Sequence, residues 1–376
     1  MIYLDHNATC PPNEVVKESI LNFISTAWGN PSSSYNFGRQ AKRAVEDARQ
    51  NVASFINAQT EQVLFTSGAT ESINSALNSA ILAFPGRRHI VTSEVEHSAV
   101  ISYCDHLERS MGYDVTRLRV DSNGELPPER LEAALRPDTA LVSLIWANNE
   151  TGVIWPVSDF AEVCHAHDVP LHVDGVQAVG KISVDFEECG ADYLSLSGHK
   201  LGGAKGSGAL LVRQPESYIP LIRGGKQERG LRGGTENVPL YVALGEAAKL
   251  CRSRAPGAWD QITKIRDTFE EKIAHQIPGA KVHGKTTIRL PNTISLYLPG
   301  IDSDAAVTYL DQKGICVSSG SACMESAITP SHVIYAMSRS HDISSETLRI
   351  SLGLESTKEE LDHLASELVT LAAIYS

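Results

Sequence analysis

The sequence contains no paired cysteine motif. Its cysteines are scattered over 376 residues without a CxxC pair, at positions 10, 104, 164, 189, 251, 316 and 323. An odd and unpatterned set in a long chain is typical of a reducing compartment and argues against a disulfide framework. We therefore expect a cytoplasmic protein.

Long apolar runs and an excess of positive charge are also missing. No apolar run approaches the roughly 18 residues that a membrane span needs. The first residues, MIYLDHNATCPP, contain neither a basic nor an apolar leader segment, so we expect no export and no membrane association. The net charge is -12, and because phosphate backbones bind Lys and Arg, nucleic acid is not expected as a direct partner.

What the chain does contain is an alternation of short β-rich runs and helix-like runs. Seven β-rich runs precede residue 214: VLFTS, HIVTS, VTRLRV, ALVSLIW, PLHVD, DYLSLS and GALLVR. With amphipathic stretches between several of them, this pattern predicts a large α/β domain with a mostly parallel seven-stranded sheet. Beyond a helical run and a Pro-Gly pair, the pattern changes to that of a smaller α+β domain. We place the large domain at 16–256 and the small one at 1–15 and 257–376, since the length favours two domains.

Polar residues follow several predicted strands, at the edge where ligands of parallel sheets bind. In TSGATES (66–72), Gly68 permits a tight turn and Thr70 can start the next helix. Backbone N–H groups at a helix N-terminus and a hydroxyl suit a phosphate, although an ordinary helix cap has the same pattern. His97 and the pair Asn148-Asn149 also follow strands, and structural roles are equally compatible with them.

Asp174 and Lys200 carry more specific information. Asp174 ends an apolar strand, where a carboxylate is costly unless a cationic group meets it. Lys200 follows a second strand and a Ser-Gly-His turn. Such a pair suits pyridoxal phosphate, because the lysine binds the cofactor covalently and the carboxylate keeps the pyridine nitrogen protonated.

Ten motifs then occur in the order known from one family. They are YLDHNAT, GNPSS, TSGATES, EHSAV, NNETG, HVDGVQ, SGHK, ERGLRGGTENV, SSGSAC and RISLG. The chain resembles the class V, fold-type I pyridoxal-phosphate transferases, and specifically the cysteine desulfurases of the NifS/IscS kind. The resemblance spans nearly the whole chain.

The resemblance implies a role for each site residue. Lys200 holds the cofactor, Asp174 pairs with the pyridine nitrogen, and His97 stacks on the ring and handles a substrate proton. Arg349 takes the substrate carboxylate as a two-point fork. The further implied contacts are Gln177 and Asn149 near the phenolic oxygen and the substrate, and Ala69, Thr70, Ser197 and His199 at the phosphate, with Thr235 reaching in from the second subunit of a homodimer.

Cys323, in SSGSAC, is the implied sulfur acceptor. The reaction removes sulfur from L-cysteine, leaves a persulfide on Cys323 and releases alanine. The sulfur then passes to an acceptor such as an iron–sulfur scaffold protein, so we expect Cys323 to be accessible and the segment around 320–330 to be loosely ordered. No resident metal is expected, although Cys323 could bind a cluster iron transiently during transfer.

Three positions depart from the family pattern, namely Cys10, Tyr35 and Met324. They leave the identity of the sulfur acceptor open. Two other functions are alternatives to desulfurase activity. One is a selenocysteine lyase or a related β-lyase, which does not require an attacking cysteine. The other is a non-catalytic adaptor in a sulfur-transfer complex, which would be favoured by loss of Lys200 or Cys323.

Overall fold

The computed structural model describes residues 1–255, 257–319 and 330–375. The strands of this part of the chain are β1 (Ile2–Tyr3), β2 (Val63–Thr66), β3 (His89–Ser93), β4 (Asp114–Leu118), β5 (Thr139–Ile145), β6 (Leu171–Asp174), β7 (Tyr193–Ser197), β8 (Gly208–Val212), β9 (Lys281–Val282), β10 (Thr293–Tyr297), β11 (Ile315–Cys316) and β12 (Thr347–Ser351).

The α-helices of the same residues are α1 (Glu14–Ser25), α2 (Asn36–Phe55), α3 (Ala69–Ala83), α4 (Ser98–Met111), α5 (Pro128–Glu132), α6 (Val157–Ala166), α7 (Val238–Arg252), α8 (Asp260–Gln276), α9 (Ser303–Gln312), α10 (His332–Ser338), α11 (His341–Ser345) and α12 (Lys358–Tyr375). No helix in the described part of the chain is long and apolar enough to cross a membrane.

A seven-stranded sheet forms the centre of the molecule, with strand order β2-β8-β7-β6-β5-β3-β4. Strands β4, β3, β5, β6 and β7 run parallel, and β8 pairs antiparallel with both β7 and β2. These are the seven runs that the sequence predicted as strands. The predicted fold class, with a mostly parallel seven-stranded sheet, is confirmed.

Both faces of this sheet are covered by helices. Successive side chains of a strand point to opposite faces, and accordingly Leu64 packs with α3 and α4 whereas Phe65 packs with α2 and α7. Every residue of β5, β6 and β7 is buried. The sheet is therefore a rigid support whose polar residues are concentrated at the strand ends.

A second apolar core lies outside the large sheet. It joins Leu4 to residues between Ile262 and Leu371, around the antiparallel strands β12-β10-β9. The short strand β1 pairs in parallel with β11, which attaches the N-terminal residues to this core. Met337 and its neighbours on α10 instead pack against the large core. The domain limits at residues 15/16 and 256/257 stay a prediction.

Candidate active site

The carboxyl ends of the parallel strands converge on one cavity of about 380 Å³. Strand register places Ile145 opposite Asp174 and Asp174 opposite Ser195, so the ends of β5, β6 and β7 lie side by side. The predicted site residues that line this cavity are Ala69, Thr70, His97, Asn149, Asp174, Gln177, Ser197, His199, Lys200 and Arg349. Residues from six separate motifs thus meet in one place.

One end of the cavity is formed by the N-terminus of α3. Its N-cap is Gly68, with φ +154°, and no side chain caps the helix, so the first backbone N–H groups are left for a ligand. A Cβ atom on Gly208 would lie 2.7 Å from the Cα of Gly68. Glycine at position 208 therefore allows the turn before α3 to lie directly against β8.

Ser197 and His199 border the same end. His199 Nδ1 lies 3.1 Å from the hydroxyl of Thr9. Burial lowers the pKa of His199 to about 4, and the charges of Lys200 and Lys205 act in the same direction. The imidazole is therefore neutral at pH 7 and can offer a hydrogen bond without adding charge.

Asp174 and His97 lie in the middle of the cavity. Asp174 is buried, and its Oδ1 accepts the N–H of Val176 at 3.0 Å. Burial raises the pKa of Asp174 and lowers that of His97, and the attraction between these two groups opposes both shifts. His97 is the N-cap of α4, where its Nδ1 accepts the N–H of Ala99 at 3.2 Å. The neutral ring consequently carries its proton on Nε2.

Lys200 follows β7 in a turn of 3₁₀ helix, Gly198–Lys200. Its Nζ donates to the carbonyl oxygens of Asn7 and, at 2.7 Å, of Ala8. The N-terminal segment YLDHNAT therefore reaches the cavity and holds the lysine amine.

The opposite end of the cavity is formed by β12. Arg349 is 4% exposed, and its Nη2 donates to Asp5 Oδ1 at 2.8 Å. Its Nη1 lies 3.4 Å from the carbonyl oxygen of Asn149. The Nε is buried and has no hydrogen-bond partner among the described residues. Because Arg349 lines the cavity, its guanidinium is placed to meet a further carboxylate there.

Gln177 makes contacts that the sequence did not indicate. Its Nε2 donates to the carbonyl oxygen of Asn7 at 2.9 Å, and its Oε1 accepts from Lys181. The amide is thus fixed by protein groups at both of its ends. Its predicted contact near the cofactor's phenolic oxygen stays a prediction.

Two predicted site residues are not among the described residues that line the cavity. Thr235 is exposed and is not among the described residues that line the cavity of its own chain. Cys323, with the whole segment 320–329, lies outside the described residues. The predictions of an accessible Cys323 on a loosely ordered support are therefore untested. In the described residues no group of three or more His, Cys, Asp or Glu side chains is placed to hold a metal ion.

Four further polar residues belong to the site and were not identified from the sequence as site residues. Asn7 contacts Lys200 and Gln177, and Asp5 contacts Arg349. Lys181 is buried against Asn7 and Gln177, and Glu96 is buried near Asp174. The signal for Asn7 and Asp5 was their position in YLDHNAT, whereas nothing in the local sequence marked Lys181.

The residues present fit pyridoxal phosphate. The uncapped N-terminus of α3 offers N–H donors to a phosphate, and the close approach of Gly68 and Gly208 holds the turn before that helix against β8. Asp174 places a buried carboxylate where a protonated ring nitrogen would satisfy it. Lys200 supplies the amine for the covalent bond.

Known proteins are similar to this chain over nearly its whole length. Residues 2–364 match the family model for aminotransferase class-V. A cysteine desulfurase of Cereibacter sphaeroides is 46% identical over 364 residues, which cover 96% of this chain and 93% of that protein. A solved NifS-like protein superimposes with a TM-score of 0.92 at 34% identity, covering 99% of both chains. The solved structure of SspA in complex with cysteine gives 0.84 at 34% identity, covering 95% of this chain and all of the other.

The chain belongs to the aminotransferase class-V family. Within this family it is a pyridoxal-phosphate-dependent enzyme of the cysteine desulfurase group. The family, the cofactor and the enzyme class predicted from the sequence motifs are thereby confirmed.

Proposed function

We propose that the enzyme takes the sulfur atom from L-cysteine, with Lys200, Asp174, His97 and Arg349 as the residues that carry the reaction and Cys323 as the acceptor. The observation that carries this proposal is the convergence of these four described side chains on one cavity. Pyridoxal phosphate, when bound, supplies an electron-accepting ring joined to the substrate's amino group.

Each described residue then has a defined task. Arg349 binds the substrate carboxylate and so orients the side-chain sulfur away from β12. Asp174 would face the ring nitrogen and keep it protonated. The amine of Lys200 would take the proton from the substrate Cα. His97, whose neutral ring carries its proton on Nε2, would handle the proton of the substrate thiol.

The sulfur transfer itself balances without a further reactant. The thiolate of Cys323 attacks the substrate sulfur, so that an S–S bond forms and the substrate's Cβ–S bond breaks. The electron pair of the broken bond goes to Cβ, which is protonated to give alanine. Cys323 retains the sulfur as a persulfide. A thiol of a sulfur-acceptor protein, such as an iron–sulfur scaffold, is the proposed next carrier.

The test is incubation of the purified protein with L-cysteine, followed by measurement of alanine and mass spectrometry of the peptide that contains Cys323. We expect equimolar alanine and a mass increase of one sulfur on that peptide. Lys200→Ala should abolish the visible absorption of the bound cofactor and all turnover. A Lys200→Ala protein that releases alanine at the wild-type rate would refute the assignment of Lys200.

The alternative activities are not favoured. The relatives that cover almost the full chain are named cysteine desulfurases, and the chain retains both Lys200 and Cys323. In the same assay, a selenocysteine lyase would be recognised because its Cys323→Ala variant would still turn over selenocysteine. A desulfurase, in contrast, needs the Cys323 thiol to turn over cysteine.

A further inference from the structure

Lys181 is a buried lysine without a carboxylate partner among the described residues. It is 6% exposed, and its Nζ donates to Asn7 Oδ1 at 2.8 Å and to Gln177 Oε1. Both acceptors are neutral amides. Because a buried ammonium group without a counter-ion is costly, a purely structural role would be served better by an apolar side chain.

The contacts of Lys181 lead directly to Lys200. Asn7 accepts from Lys181 with its side-chain oxygen and from Lys200 with its carbonyl oxygen. The Oδ1 of Asn7 accepts from Lys181 and also from Asn292 Nδ2 at 3.2 Å. The Nδ2 of Asn7 therefore faces the other way, where it donates to Thr293 Oγ1 at 2.9 Å and to the carbonyl oxygen of Asn149 at 3.2 Å. Lys181 thus contacts the side chain of Asn7 directly and, through Gln177, the carbonyl oxygen of Asn7 to which Lys200 donates.

The electrostatic surroundings of Lys181 are predominantly positive. Burial lowers the pKa of Lys181 to about 7, and the charges of Lys200 and Arg349 act in the same direction, whereas Cys10 opposes them. Lys181 also borders a second cavity of about 480 Å³, whose other titratable or charged lining groups are His6, Cys10, Glu14, Lys200, Arg254 and Glu355. Two lysines thus share one neutral residue, Asn7, deep in the protein.

We propose that Lys181 is a positioning residue for Lys200, which holds the side chains of Asn7 and Gln177 and, in its protonated form, favours the unprotonated amine of Lys200. The unprotonated amine is the form that bonds to the cofactor and takes a proton from the substrate, and a cationic neighbour is a general way to populate it. The inference rests on the proposed function of Lys200.

The experiment is a pH titration of the visible absorption of the cofactor-loaded protein. Lys181→Met removes the charge, and we expect the midpoint to rise by about one pH unit, as loss of one nearby charge predicts. Lys181→Arg keeps the charge and should restore the midpoint towards the wild-type value. Lys181→Gln, which keeps an N–H donor for Asn7, provides a second neutral variant should Lys181→Met fail to fold.

A second measurement does not depend on the cofactor. In full-length protein from which the cofactor has been removed, acetic anhydride acetylates unprotonated amines, and the fraction modified at Lys200 is read by peptide mass spectrometry. At a pH below the titration midpoint of the Lys200 amine, we expect Lys200 to be acetylated roughly tenfold more slowly in Lys181→Met than in wild type. The exposed lysine variant Lys285→Met serves as the matched control and should leave both readouts unchanged.

The outcomes separate this inference from the proposed function. An unchanged midpoint in the folded neutral variant, or an equal shift in Lys181→Arg and Lys181→Met, would overturn the role of Lys181 while leaving Lys200 as the cofactor lysine. A cofactor that stays covalently bound in Lys200→Ala would instead overturn the proposed function.

Discussion

The guanidinium of Arg349 lies 2.8 Å from the carboxylate of Asp5, although 344 positions separate them in the chain. The arginine proposed to bind the substrate carboxylate therefore already has a counter-ion in the free protein. One of its Nη donors is used by Asp5, and its buried Nε has no partner among the described residues. A substrate carboxylate would thus be a second anion on the same guanidinium.

Asp5→Asn tests this competition. Asparagine keeps the shape and one oxygen acceptor for Arg349 but removes the negative charge, so the substrate becomes the sole carboxylate on the guanidinium. We expect KM for L-cysteine to fall severalfold and the free energy of unfolding of the free protein to drop by about 2 kcal/mol. Steady-state kinetics and chemical denaturation check the two effects. A higher KM would show that Asp5 assists binding of the carboxylate.

Arg349→Lys should raise KM for L-cysteine and leave cofactor binding intact. Lysine keeps the charge but loses the planar fork that matches a carboxylate at two points. Kinetics with L-cysteine and the absorption of the bound cofactor are the measurements. If KM stays at the wild-type value, another group binds the substrate carboxylate.

Glu96 predicts a pH dependence of stability. Burial raises its pKa from 4.5 to about 8, and the neighbouring Asp174 adds to the shift. The unfolded chain loses this proton near pH 4.5 and the folded protein near pH 8. The contribution of protonated Glu96 to the free energy of unfolding is therefore complete below pH 4.5 and is lost as the pH rises through 8.

Glu96→Gln keeps the oxygen that accepts from Ser93 and from the N–H of Ile145 and cannot ionise. Between the pKa of Glu96 in the unfolded chain and its pKa in the folded protein, we expect the free energy of unfolding of Glu96→Gln to decline less than that of wild type. The two proteins should differ by a few kcal/mol in this decline. Denaturation at a series of pH values measures it, with the exposed Glu18→Gln as control. Parallel curves for wild type and Glu96→Gln would mean that Glu96 is ionised in the folded protein.

Cys323→Ala should separate substrate binding from sulfur transfer. Cofactor binding and the spectral response to L-cysteine require Lys200 and the cavity, so both should persist. Alanine formation should fall roughly 100-fold or more, because the nucleophile is gone. Cys189→Ala, which removes a buried thiol remote from the cavity, is the control. Wild-type turnover with persulfide on another residue would disprove the role of Cys323.

Thr235 predicts a homodimer with shared sites. It is exposed on its own chain and does not line the described cavity, which fits a contact with a partner's phosphate site. Thr235→Ala should weaken cofactor binding, and Lys200→Ala should abolish turnover. Mixed dimers of the two variants should recover one intact site per dimer, measurable as regained cofactor affinity and activity. A mixture no more active than its components, or an active monomer in sedimentation, would contradict the shared site.

The central sheet could be predicted because its information is local. Seven apolar runs bounded by turn residues became the seven strands, and the polar residues after them became the cavity wall. The helix α1 was not predicted, since its exposed apolar residues Leu21 and Ile24 obscure the apolar face that Val16, Ile20 and Phe23 turn towards the large core. The pairing of β1 with β11 was also missed, because two-residue strands far apart in the chain leave no periodic pattern.

The class of chemistry follows from local sequence. A strand-end Asp174, a lysine after the next strand and a glycine turn before a helix are local features, and their order along a parallel sheet requires them to meet at one edge. The state in which these groups are held depends on the tertiary structure. The contacts of Lys200 and Lys181 with Asn7, and of Arg349 with Asp5, join the N-terminal segment to distant strands. Charge and hydrogen bonding act through space, so the partner of a buried cation cannot be read from its neighbours in the chain.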